Sequence, residues 1–108
     1  MSTKFRVGSR VVDMRVSKNL PWVSVDGYIG NRKYAYVQGK VEGPDWRLDV
    51  PYVLVIMIRV APSLQRHGVG TELLRLLKQV AGVDVVLATS MISEESEAFF
   101  GSLGVEEQ

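Results

Sequence analysis

The chain has no cysteine and a single histidine, His67. Disulfides, thiol nucleophiles and cysteine-ligated metals are therefore excluded, as is a histidine-rich metal site. Long hydrophobic runs are also missing. The longest aliphatic stretch, Val53 to Ile58, is too short to cross a bilayer as a helix. Met1 to Phe5 lacks the apolar segment of a secretory signal. These absences lead us to expect no membrane contact and a reducing, cytoplasmic setting. Basic residues are absent from one region: no Lys or Arg follows Lys78, whereas Asp84, Glu94, Glu95, Glu97, Glu106 and Glu107 do.

What is present fits one small globular domain spanning residues 1–108, with 23% charged and 46% hydrophobic residues. A net charge of +1 gives no reason to expect nucleic acid. The charge is uneven. Residues 1 to 54 carry nine Lys or Arg against five Asp or Glu, and residues 55 to 108 carry four against seven. Solubility accounts for this, and an acidic rim facing a cationic acceptor or a second subunit is the sharper reading.

The first half reads as strands. Val12, Met14 and Val16 alternate with polar residues, and Trp22–Val25 and Lys33–Val41 are rich in aromatic and β-branched residues. Asp26-Gly27, Gly30-Asn31 and Glu42-Gly43-Pro44-Asp45 signal turns. Trp22, Tyr28, Tyr34 and Tyr36 are expected to cluster in the core. The near-unbroken apolarity of Val53–Val60 suits a central strand covered on both faces. Leu73, Leu74, Leu77 and Val80 then recur at helical spacing over Thr71–Val80, with Gly82 as the stop. A further strand over Asp84–Ala88 and a short helix over about Ser93–Leu103, burying Phe99, Phe100 and Leu103, complete the pattern.

Between the central strand and the helix lies Val60-Ala-Pro-Ser-Leu-Gln-Arg-His-Gly-Val-Gly70. A strand, a glycine turn and a helix start in this order aim backbone N–H groups at an anion. Gly68 and Gly70 allow close approach, and Arg66 adds a cation. Neither rival phosphate motif fits. There is no G-x-x-x-x-G-K-[ST], and a G-x-G-x-x-G reading fails at Leu73.

Val60, Pro62, Gln65, Gly68, Gly70, Leu73 and Leu74 together resemble the coenzyme A motif of the GNAT N-acetyltransferase superfamily, V-x-P-x-x-[QR]-x-x-G-x-[GA]-x-x-L-L. The resemblance implies an α+β fold: a mixed, mostly antiparallel sheet, a cofactor helix after a splayed central strand, and a short C-terminal helix. It implies acetyl-CoA as co-substrate. The pantetheine would pair with backbone of Ile58 and Val60. Backbone N–H groups around Gln65, Arg66, Gly68, Val69, Gly70 and Thr71 would hold the pyrophosphate.

The chain also departs from that family. Ser17–Pro21 leaves no room for the usual pair of helices, and the last two strands are expected to be missing. An open cofactor shelf would suit a protein acceptor or another amine, or be completed by a second copy in a homodimer pairing through the edge after the last core strand. Phe100 stands where a catalytic tyrosine is common, Ser93 where an asparagine is common, and Leu54–Ile58 contains no glutamate. Substitutes are Ser90 and Ser93, which could order a water or the thiolate, and Tyr52 as an acid. Glu94, Glu95 and Asp49 are further candidate bases, and His67 lies in the phosphate turn, removed from the sulfur. Capping by Ser93 and packing by Tyr52 are the structural alternatives. Two functions follow from the resemblance: an N-acetyltransferase acting on a primary amine, or a catalytically inactive module that binds CoA or a protein.

Overall fold

In the computed structural model, residues 2–88 and 106–107 are described. Among the described residues seven strands lie in one sheet in chain order: β1 (Ser2–Val7), β2 (Arg10–Asn19), β3 (Trp22–Ile29), β4 (Arg32–Glu42), β5 (Tyr52–Val60), β6 (Val86–Ala88) and β7 (Glu106–Glu107). The pairs from β1 to β5 are antiparallel, and β6 runs parallel to both β5 and β7. A single 3-10 turn (Pro62–Leu64) and one α-helix, α1 (Val69–Ala81), connect β5 to β6. This is the expected α+β architecture with a mixed, mostly antiparallel sheet. No helix among the described residues is long and apolar enough to cross a membrane.

The alternation of β2, β3 and β4 turns one face of the sheet towards α1. Val12, Met14, Val23, Val25, Ala35 and Val37 are buried there with Val69, Leu73, Leu74, Leu76 and Leu77 of the helix. β-branched side chains suit this half-buried pleated surface, and the leucines suit the helix. Gly39 brings the two layers close. A Cβ there would lie 2.7 Å from Val53 Cγ2 and 3.3 Å from Leu77 Cδ2. Gly82 ends the helix in the left-handed region (φ +73°) and donates its N–H to the Lys78 carbonyl at 2.9 Å.

Several sequence expectations change. β1 has no sequence counterpart, and it pairs with β2 from Ser2↔Arg15 to Val7↔Arg10. Asp26-Gly27 is not a turn but lies inside β3, beside a register shift at Gly27/Tyr28. Gly27 serves packing: a Cβ would meet Val12 Cγ1 at 3.0 Å and Met14 Sδ at 3.3 Å. The hairpin turn falls at Gly30-Asn31 as read. The Ser17–Pro21 segment is mostly strand, since β2 and β3 meet in a tight hairpin that leaves no helix between them.

Of the four aromatics expected in the core, only Tyr34 packs against it. Trp22 is 44% exposed, and Trp22, Tyr28 and Tyr36 occupy the face away from α1, where Lys40, Arg15 and Lys33 lie over their rings. β5 is likewise not covered on both faces along its length. Met57 is 48% exposed on the face away from α1, and the register with β4 shifts beside it, Gln38 pairing with Met57 and Gly39 with Val55. The helix begins earlier than read, at Val69. The following strand is shorter, Val86–Ala88. The edge of β6, expected to be open, carries β7 opposite Leu87 and Ala88. The helix expected over Ser93–Leu103 falls outside the described residues.

Candidate functional site

The end of β5, the 3-10 turn and the start of α1 form one continuous feature. Pro62 opens the 3-10 turn, whose Leu64 side chain is fully buried and anchors the loop. Gln65 then donates its Nε2 to the Val60 carbonyl at 3.0 Å, closing the loop on the strand that precedes it. Arg66 (φ +66°) and Gly68 (φ +81°) both sit in the left-handed region. The chain thus reverses direction and enters α1 with Gly68 as the residue before the first helical turn.

The consequence is electrostatic. The first backbone acceptance inside this helix end is by the Gly68 carbonyl, from the Glu72 N–H at 3.0 Å. The N–H groups of Val69, Gly70 and Thr71 precede any possible helical acceptor and have no partner among the described residues. They lie at the positive end of the helix dipole, next in the chain to exposed Gln65, Arg66, His67 and Gly68. Gly68 leaves room for a ligand: a Cβ there would meet only Phe5 Cζ, at 3.5 Å. An anion with the chemistry of a pyrophosphate would find donors and no side-chain obstruction here.

Ile58 and Val60 lie just before the turn on β5. The Ala61 N–H donates to the Tyr34 carbonyl at 2.8 Å, continuing a ladder in which Tyr36 opposes Arg59 and Gln38 opposes Met57. In an antiparallel pair such bonds use every second residue. Ile58 and Val60 therefore turn their backbone polar groups away from β4, towards the edge that faces β6. β6 pairs with β5 only over Val53–Val55. Beyond that point no other strand among the described residues takes up this edge. Of the groups facing this edge the Val60 carbonyl is taken up by Gln65 Nε2, whereas the Val60 N–H and the backbone of Ile58 have no strand partner among the described residues.

The catalytic candidates separate. Ser90, Ser93, Glu94, Glu95 and Phe100 lie outside the described residues. Asp49 is exposed in the β4–β5 loop, and His67 is exposed in the phosphate turn. Tyr52 is fully buried. Its hydroxyl donates to Asp45 Oδ2 at 2.7 Å, with Glu42 Oε2 at 3.3 Å, and accepts from Arg47 Nη1 at 2.9 Å. Burial raises the phenol above its ordinary range. The Tyr52 hydroxyl in turn holds the Asp45 carboxyl below the usual carboxylate range. This network closes the loop between β4 and β5. Arg59 lies on the open face opposite Tyr36, whose hydroxyl donates to Met57 Sδ at 3.0 Å.

Two residues of the site had no signal in the sequence. Arg10, at the start of β2, donates from Nη2 to the Ser63 carbonyl at 3.0 Å across a separation of 53 residues. Phe5 of β1 stands against Gly68. Each is remote in sequence from the motif, and only the folded sheet brings them to it.

Comparison with known proteins agrees with this fold. The solved structures it resembles include the aminoglycoside N-acetyltransferase AAC(6')-Iy in complex with CoA, at 19% identity and a TM-score of 0.67, covering 84% of this chain and 64% of that one. The apo aminoglycoside 6'-N-acetyltransferase AAC(6')-IG from Acinetobacter haemolyticus is similar at 21% identity and a TM-score of 0.67, with coverage of 83% and 66%. An acetyltransferase from Trypanosoma brucei follows at 20% and 0.59, with coverage of 82% and 64%. The chain spans less than two thirds of the length of these structures. No curated protein shows significant sequence similarity to it. The profile of the acetyltransferase (GNAT) family matches residues 13–105, which includes the glycine turn, the helix behind it and the edge of β5, and the chain belongs to that family.

Proposed function

We propose that the protein is an N-acetyltransferase that moves an acetyl group from acetyl-CoA to a primary amine. One observation carries this reading: the unbonded N–H groups of Val69, Gly70 and Thr71 lie beside a β5 edge whose Ile58 and Val60 backbone groups face away from the sheet ladder. An anion site alone would fit many phosphates. An anion site continuous with an unpaired strand edge fits a ligand that is a pyrophosphate at one end and an extended amide chain at the other. Gln65, Arg66, Gly68, Val69, Gly70 and Thr71 would hold the pyrophosphate, and Ile58 and Val60 the pantetheine. The similarity to a CoA-bound acetyltransferase supports the same ligand.

In the reaction a neutral amine attacks the thioester carbonyl carbon, an amide forms and the carbon–sulfur bond breaks. The amine loses a proton to solvent and the thiolate gains one. Positioning alone supplies about 7–11 kcal/mol towards such a bimolecular step. A backbone N–H aimed at the developing oxyanion adds about 2.7–4 kcal/mol. Ser90 or Ser93, which follow β6 in the chain, would order a water or the departing thiolate. In this reading Tyr52 fixes the β4–β5 loop, since its hydroxyl is already bonded inside the protein.

The acceptor is a primary amine, on a small molecule such as the aminoglycosides of the similar enzymes or on a protein. A second reading rests on a specific observation: Met57 and Arg59 are the only exposed residues of β5, and neither can act as a base. The protein would then bind CoA without turnover. Calorimetric titration with acetyl-CoA, followed by a thiol-release assay over aminoglycosides and lysine peptides, decides both. Binding with thiol release supports the enzyme, binding without it the inactive module, and no binding overturns the cofactor site.

A further inference from the structure

Resting on the cofactor reading above, we infer that Arg10 is a positioning residue for the pyrophosphate turn, and that the β1–β2 hairpin is its brace. The turn cannot hold its shape by local preference alone. Arg66 is a non-glycine residue in the left-handed region, and Gly68 two residues on is left-handed as well. Such a conformation persists when its surroundings fix it.

The surroundings fix it in two ways. From within, Gln65 bonds back to Val60 and Leu64 is buried. From outside, the Arg10 guanidinium holds the Ser63 carbonyl at 3.0 Å, and Phe5 of the neighbouring strand backs Gly68. Ser63 lies in the 3-10 turn, between the buried Leu64 and the end of β5. Clamping its carbonyl fixes the plane of the Ser63–Leu64 peptide, two residues before the left-handed Arg66. A cationic donor also makes the bond stronger than a neutral one.

The position of Arg10 in the chain gives the inference its content. The family match begins at residue 13, so Arg10 and all of β1 lie ahead of it. The brace acts on the phosphate end of the ligand and not on the thioester end, because Ser63 adjoins the turn whereas the bulge at Ile56 lies further back along β5.

The test is a comparison of two ligands in three proteins. Wild type, Arg10→Met and Arg10→Lys are titrated with acetyl-CoA and with S-acetylpantetheine, which lacks the nucleotide, using amide NMR shifts. Thermal melts of each protein run alongside. Failure of wild type to bind acetyl-CoA overturns the cofactor site itself and not the brace. Given wild-type binding, Arg10→Met should weaken acetyl-CoA by about three- to tenfold, leave S-acetylpantetheine unchanged, and be rescued in large part by Arg10→Lys. Equal weakening of both ligands, an unchanged acetyl-CoA affinity, or an Arg10→Lys protein as impaired as Arg10→Met would overturn it. Should Arg10→Met melt too low to titrate, Arg10→Gln takes its place and is judged by the same outcomes.

Discussion

The side-chain amide of Gln65 donates to the carbonyl of Val60 at 3.0 Å, joining the first residue after the 3-10 turn to the last residue of β5. This contact gives the glutamine of the motif a physical purpose. It occupies an outward-facing carbonyl at the corner where the strand gives way to the turn. Arginine, the other residue of the motif at this position, could donate in the same way.

Replacing Gln65 with Leu should weaken acetyl-CoA binding by about three- to tenfold, and replacing it with Arg should leave affinity near wild type. Calorimetric titration of both variants checks this. Equal loss in the two would show that the donor is not what matters.

At Gly68 strain and charge can be separated. Because φ is +81°, any side chain costs about 1–2 kcal/mol there, so Gly68→Ala should lower stability by that amount. It should still bind acetyl-CoA, since the added Cβ meets only Phe5 at van der Waals distance. Gly68→Glu should be similarly destabilised and lose binding, because it sets a carboxylate where phosphate would sit. Urea melts and titrations of the pair test the point, and loss of binding in the alanine variant would refute it.

Gly39→Ala should cost about 1–3 kcal/mol by overpacking. Its Cβ would lie 2.7 Å from Val53 Cγ2 and 3.2 Å from the Leu54 carbonyl oxygen, so β5 or α1 must give way. Gly8→Ala, at a turn with nothing within 4 Å, bears only the strain of its left-handed backbone. Urea midpoints compare the two, and equal losses would argue against a packing role for Gly39.

Stability should fall at both ends of the pH scale for different reasons. Asp13, held down by Arg15, Asp45, held down by the Tyr52 hydroxyl, and Glu72, held down by Arg75, all lose their protons more readily when folded. Their contribution is complete above about pH 5 and is lost as pH drops through about 4 and below. Tyr52 behaves oppositely. Burial raises it, so its contribution is complete below about pH 9 and is lost as pH climbs past about 10. Tyr52→Phe should abolish the alkaline fall, shrink the acid one by freeing Asp45, and cost about 1–3 kcal/mol at neutral pH. Its rate of acetyl transfer should keep the wild-type pH profile. A changed profile with an intact fold would make the Tyr52 hydroxyl catalytic.

By itself the sequence determined the local parts. The alternation of Val12, Met14 and Val16, the leucine spacing of α1, its stop at Gly82 and the order of strand, glycine turn and helix are set by neighbours a few residues away, and the structure reproduces them. The turn proposed to hold the pyrophosphate was legible for the same reason, since helix-end N–H groups need no distant partner to be unbonded. The tertiary structure decided the rest. Asp26-Gly27 reads as a turn locally, yet the space left by Val12, Met14 and Ala35 makes Gly27 a packing glycine inside β3. Trp22, Tyr28 and Tyr36 read as core, yet sheet register turns them to the open face under their cations. Arg10 reads as an ordinary surface charge until the sheet carries it to Ser63. Local preference fixes what a segment is, whereas only the register between strands fixes which face a side chain occupies and which distant carbonyl it meets.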